Sequence, residues 1–394
     1  MKGIIMDYLK RADELFEEAV EIRRHLHQNP EIGLELPETK AFVREKLESY
    51  GYEVADCGEG LTTTVGNGGK VLLLRADMDA LPMEEDTGLE FESQNGCAHA
   101  CGHDMHTAGL LIAAKILKEN EEAINGTIKF MFQPAEEIFA GSKNMVEHGI
   151  LENPKVDAAL GFHVAAGQIP LNLITYNSNA TMMYSSDNFR INIKGKGSHG
   201  AYPQLAIDPI NIGVNIYTGL MELIARETDP THESVLTIGK FNAGTALNII
   251  PDTATLEGTI RSNNKESRDK LVTRLEEVVE RMAAVYNGEA NVEILANVPP
   301  LQNNKELTDE FTGYIKELTP DVILYDGMTA SASEDFAVIC DLVPATFLFV
   351  SAGYTDERGA HTAHNPKVQF NEEYLRIAPA YFAHLATRWL ENNN

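Results

Sequence analysis

Apolar positions along the chain change their period several times, and each change predicts an element. Up to Gln28 they recur with a period of about 3.6 residues (Leu15, Val20, Ile22, Leu26), which predicts an amphipathic helix stopped by Asn29-Pro30. Short, wholly apolar runs then alternate with helical stretches. Val71–Leu74, Thr127–Phe132 and Ala158–Phe162 read as buried strands, and Thr107–Lys118 and Ser142–Glu147 as helices. Strands with no polar face, separated by helices, belong in a mostly parallel sheet covered by helices on both faces.

The pattern changes near Ser185. Phe189–Ile193, Ser234–Phe241 and Thr253–Arg261 alternate apolar and polar residues, as half-exposed strands do. Helices are predicted at Ile207–Arg226 and Lys265–Tyr286, and a further strand at Val292–Leu295. This βαββαβ order is that of a split βαβ, ferredoxin-like sandwich. From Pro299 the first texture returns, with strands at Val322–Tyr325 and Ala345–Val350 and a last helix at Glu372–Leu390. The reading is an α/β domain (residues 1–184 and 296–394) interrupted by an α+β insertion (residues 185–295). No internal repeat or low-complexity stretch disturbs it.

Composition narrows the function classes. A chain of 394 residues is long for one ordinary core, in keeping with two domains. The net charge of −27 disfavours nucleic acid and anionic lipid as partners. Substrate charge does not follow from it, because a metal or a local Arg reverses the field inside a site. Four cysteines (Cys57, Cys97, Cys101, Cys340) are too few for a disulfide framework and fit a reducing compartment. The N-terminal stretch becomes charged too early for a signal peptide, and no apolar run is long enough to span a bilayer. The expectation is a cytoplasmic enzyme.

Candidate chemistry clusters after the buried strands. Val71–Leu74 is followed by Asp77 and Asp79, and the next loop carries His99, Cys101, His103, Asp104 and His106. Thr127–Phe132 is followed by Glu136-Glu137, Ala158–Phe162 by His163, and a distant loop holds His361 and His364. Parallel α/β sheets bind ligands beyond the carboxyl ends of their strands, so separate segments deliver these groups to one edge. Thiolate, imidazole and carboxylate together suit zinc or a neighbouring transition ion better than Mg²⁺ or Ca²⁺. Neighbouring Glu136 and Glu137 diverge, which suggests one metal ligand and one general base. Each signal alone is weak, and their convergence carries the reading. His25, His27, His148, His232, His384, Cys57, Cys97 and Cys340 read as packing or surface residues.

The stretches ADMDALPMEE, HACGHDMHTA, FQPAEE with AGS, GFHV, GKGSHGAYP, NIIPD with EGTIR, SEDF and HNP closely resemble the metal-dependent aminoacylase, hippurate hydrolase and indoleacetyl-amino-acid hydrolase family. That family is a branch of the di-metal carboxypeptidases, and the resemblance runs from Arg23 almost to the C-terminus. It implies a zinc-peptidase-like catalytic domain with an inserted lid that mediates homodimerisation. It implies two divalent ions, Zn²⁺ or Mn²⁺ with Co²⁺ or Ni²⁺ as alternatives, held by Cys101, His103, Glu137, His163 and His364. Cys101 takes a position where related branches use a carboxylate. Glu136 becomes the general base, Asp79 orients a ligand from behind, and His199 stabilises the tetrahedral intermediate. Asn248 and Arg261 match positions near the substrate's carboxylate or oxyanion. The implied reaction is hydrolysis of an N-acyl amino acid, acetyl or aromatic, to a carboxylic acid and a free amino acid.

The chain departs from the family in small ways: SHGAYP at the lid histidine, and Ser331-Ala332-Ser333 where glycines are frequent. Met182-Met183 near the domain hinge reads as packing, or as an adaptable wall for the acyl group. Three rivals stand beside the main reading. They are a carboxypeptidase or dipeptidase of the same clan, a non-catalytic metal-binding protein, and a redox protein using Cys101 with Cys97.

Overall fold

The computed structural model describes residues 6–394, so the first five residues of the expected N-terminal helix lie outside it. The rest of that segment forms two helices, Tyr8–Glu14 and Phe16–Gln28, separated at Leu15. Asp7 caps the first by accepting from the Lys10 amide. The second buries Ala19, Val20, Ile22 and Leu26, and on the same side Arg23 and His27.

The chain divides into two compact units. The first comprises everything up to Met182 together with Gln302–Thr329 and Val338–Asn394. Its sheet has eight strands, in the order Ala55–Cys57, Gly60–Gly66, Thr127–Gln133, Val71–Asp77, Ala158–Ala165, Ala345–Ser351, Leu173–Tyr176 and Ile323–Asp326. The middle four strands are parallel, and Gly60–Gly66 and Leu173–Tyr176 join them antiparallel. Every residue of Val71–Asp77 and Thr127–Gln133 is buried, as the apolar runs predict for strands covered on both faces. The helix His103–Glu119 packs against this sheet and against the helices Phe16–Gln28 and Ala378–Asn393. It starts four residues earlier than the sequence pattern suggests.

The second unit comprises Met183–Leu301 and Ala330–Ala337. Four antiparallel strands lie in the order Ser234–Ala243, Thr253–Ser262, Ser186–Lys194 and Glu289–Val298. The helices Pro209–Arg226 and Lys265–Val285 bury Ile212, Ile216, Leu220, Leu271, Leu275 and Val279 against Phe189, Ile191, Ile193, Leu256 and Ile260 of the sheet. The alternating strands therefore turn one apolar face to the helices, giving the ferredoxin-like arrangement. Met182 and Met183 are both buried, in line with packing. Among the described residues no helix is long and apolar enough to cross a membrane.

Candidate metal centre

The first unit gathers its candidate groups at the carboxyl ends of its parallel strands. Gly102 sits at φ 90° as the N-cap of the helix that His103 begins. A side chain there would be strained at that angle, and its Cβ would stand 2.4 Å from Val164 Cγ2. The tight turn therefore needs glycine, and it places Cys101 and His103 on either side. After Thr127–Gln133 the chain turns through Ala135 and Phe139, both at positive φ (54° and 55°), which sets Glu136 and Glu137 at the strand end. His163 lies within Ala158–Ala165, in register with Phe349. His364, also at positive φ, is anchored by its amide to the Ala100 carbonyl at 2.9 Å.

Hydrogen bonds decide which imidazole nitrogen is free. His103 Nδ1 donates to the Asp79 carbonyl at 2.8 Å, and His163 Nδ1 to the Val164 carbonyl at 2.7 Å. In the neutral form each ring is thereby left with an Nε2 lone pair. His163 Nε2 stands 3.4 Å from Cys101 Sγ, and His103 Nε2 stands 3.9 Å from Glu137 Oε1. His103 Nε2 and Glu137 Oε1 are both buried and make no hydrogen bond. Glu137 Oε2 faces His364 Nε2 at 3.4 Å. Ligand-type atoms within 4.8 Å of one another form the triplets Cys101–His103–His163, Cys101–Glu137–His364 and His103–Glu136–Glu137.

Asp79 acts through its oxygens on both glutamates. Oδ1 accepts from the Glu136 amide at 3.0 Å and Oδ2 from the Glu137 amide at 3.1 Å. His106 has a different place from its neighbours. Its Nδ1 is 2.5 Å from Asp77 Oδ1 and its Nε2 accepts from the Val164 amide at 2.8 Å, so neither nitrogen is free to ligate. Sequence reasoning noted Asp77 and His106 without a role; His106 lies one helical turn from His103, and that spacing is the available signal.

The electrostatics of these groups suit a cation bound among them. Burial opposes ionisation of Asp77, yet Arg75 at 2.8 Å, His103 and His106 hold its carboxyl well below the usual range. Burial and then Glu137 push the Cys101 thiol well above its ordinary value. Burial also raises Glu137, against the pull of His103 and His364. A thiol and a carboxylate so placed ionise only beside added positive charge.

His199, Asn248 and Arg261 lie in the second unit. His199 is exposed and pairs with Ile249 across a two-stranded ladder, while the Gly200 amide donates to the Asn248 carbonyl at 2.8 Å. Arg261 donates to Ser333 Oγ at 2.8 Å, and no carboxylate pairs with it among the described residues.

Residues 73–388 match the model of peptidase family M20/M25/M40. The chain belongs to that family. It is accordingly a hydrolase of amide bonds. Among relatives in the M20 family it is 39% identical over 392 residues to IAA-amino acid hydrolase ILR1-like 4 of Arabidopsis thaliana, covering 97% of this chain and 88% of that one. It is 36% identical over 388 residues to the N-acetyl-L-cysteine deacetylase of Bacillus subtilis, covering 96% and 90%. A solved Bacillus subtilis structure, described as a dinuclear metal binding peptidase from the M20 family, superposes with a TM-score of 0.79 at 32% identity, covering 96% and 99%.

Proposed function

We propose that this M20 protein is a metal-dependent amidohydrolase that cleaves N-acyl amino acids, with two divalent ions held by Cys101, His103, Glu137, His163 and His364. The observation that carries the reading is the buried pair His103 Nε2 and Glu137 Oε1, neither of which makes a hydrogen bond, ringed by a thiol and two further imidazoles. Natural interiors rarely leave such atoms without a partner. Cys101 belongs to two of the ligand triplets, as a thiolate shared by two ions would. Sulfur and imidazole donors favour Zn²⁺, and cellular supply leaves Mn²⁺ in play.

Bound there, the ions would activate a water and polarise the scissile carbonyl. Glu136 takes the proton of the attacking water and passes it to the departing amine. Asp79 holds the backbone of Glu136 and Glu137, which keeps base and ligand in step. As the family resemblance implies, His199 serves the oxyanion, and Asn248 and Arg261 the substrate carboxylate; a guanidinium with no carboxylate partner suits an anion. Metal-stripped protein, assayed with N-acetyl, benzoyl and dipeptide substrates, should release free amino acid only after Zn²⁺, Mn²⁺ or Co²⁺ is restored. Dipeptides cleaved in preference to every N-acyl amino acid would replace this reading with a peptidase.

The second unit also supports a homodimer. The strand Ser234–Ala243 is a sheet edge exposing Val235 and Phe241, and the helix Pro209–Arg226 exposes Ile210, Val214 and Tyr217 at helical spacing. Light scattering should give twice the 43.4 kDa chain mass, reverting to the monomer when Val214 is changed to Glu. A monomeric parent protein would rule the dimer out.

A further inference from the structure

His27 reads from sequence as an ordinary packing residue, but its surroundings assign it more. It is buried, one helical turn from buried Arg23. Its Nδ1 lies 2.8 Å from Asp104 Oδ2 and its Nε2 lies 2.9 Å from Glu85 Oε1. Arg23 Nη2 also lies 3.3 Å from Nδ1, but the two shorter contacts are to carboxylates, which only accept when ionised, so both ring nitrogens donate to them and the ring is an imidazolium. Burial and Arg23 oppose that charge, yet Asp104 and Glu85 keep His27 raised above its ordinary value.

The two carboxylates belong to different segments. Asp104 is in the first turn of the helix that His103 begins, and Arg23 Nε also donates to it at 2.7 Å. Glu85 belongs to the loop that starts at Asp79. Its Oε2 accepts from the Ser93 amide at 2.9 Å, which folds that loop back on itself. The same loop is tied to the segment after the helix Phe16–Gln28, through the Ala80 amide to the Glu31 carbonyl at 2.8 Å and Asn95 Nδ2 to the Pro30 carbonyl at 2.9 Å. Phe91 of the loop lies against both Arg23 and Arg24, each 4.7 Å from its ring centre.

His103 is therefore gripped from two sides, by its own helix and by the Asp79 carbonyl. Arg23 meets the helix through Asp104 and the loop only through the Phe91 ring, whereas His27 meets a carboxylate on each side. We propose that His27 is a positioning residue for the metal centre, a charged tie between Asp104 and Glu85 that sets the helix bearing His103 against the loop bearing Asp79. The inference rests on reading the site as a metal centre. A purely structural ion network would stabilise the fold without regard to metal.

The test uses the full chain with His27→Gln, the milder loop-side change Glu85→Gln, and the double variant. Zn²⁺ affinity is read by chelator competition, and stability by the urea midpoint of metal-stripped protein. Gln at position 27 carries no charge to serve both carboxylates. Each single change should weaken Zn²⁺ binding about tenfold, the lower end of what outer-shell partners of metal ligands contribute. The double variant should be no weaker than the singles, because one tie breaks only once. Unchanged affinity in both single variants, or losses that simply multiply, would overturn the tie. An unmutated protein that binds no Zn²⁺ tightly would overturn the metal reading itself. Tight binding indifferent to His27 and Glu85 overturns the tie alone.

Discussion

Glu136→Gln should lower kcat by about 10³-fold, roughly 4 kcal/mol of barrier, while metal content stays at the parent level. Gln matches Glu in size and keeps the backbone amide that Asp79 Oδ1 accepts, so the turn at Ala135 to Phe139 is undisturbed. What it lacks is a basic oxygen able to take a proton from water at neutral pH. Metal retention follows because Cys101, His103, Glu137, His163 and His364 supply the five proposed ligands without Glu136. Steady-state kinetics beside elemental analysis of the same preparation separates the possibilities. Metal and kcat falling together would make Glu136 a ligand. A kcat within tenfold of the parent would mean that another group is the base.

The proposed division of labour between the adjacent glutamates could be drawn from the sequence because it depends on chain connectivity alone. The same holds for the buried strands. Val71–Leu74 and Thr127–Phe132 have no polar face, so only a sheet covered on both sides accommodates them. The antiparallel borders were less legible. Gly60–Gly66 is Thr-rich, and its place is settled by pairing with Thr127–Gln133, a contact between distant residues. The strand at His163 runs on to Ala165 because Ala345–Ser351 pairs along its whole length. Hydrophobic period also missed the start of the helix at His103, since its first turn carries polar groups that are buried for their chemistry. His27 escaped for a related reason. His25 and His27, two residues apart, do not face each other, and the residue that shares the buried face with His27 is Arg23, four residues earlier. Polar residues on the buried face of a helix announce themselves only once the acids they meet, here on the helix of His103 and the loop of Asp79, are brought alongside.

Asp79→Asn should be the second most damaging of these changes, and its signature differs from that of Glu136→Gln. The Asp79 carboxylate accepts two backbone amides, one on each oxygen. Asn offers a single acceptor oxygen, so its NH₂ is set against an N–H donor and one buried amide loses its partner. That alone costs about 1–3 kcal/mol. The strain falls on the turn carrying both Glu136 and Glu137, and a displacement near 1 Å of a catalytic group costs on the order of 10²-fold in rate. The expected result is kcat/KM lower by about 10²-fold together with Zn²⁺ affinity lower by about tenfold. Base and ligand suffer jointly because one carboxylate positions both. His103 keeps its bond to the Asp79 carbonyl, which the substitution leaves in place, so metal binding weakens without disappearing. If Asp79→Asn bound Zn²⁺ like the parent and turned over within threefold of it, the paired amide bonds would be incidental. The positioning of Glu136 and Glu137 would then rest on the turn through Ala135 and Phe139 alone.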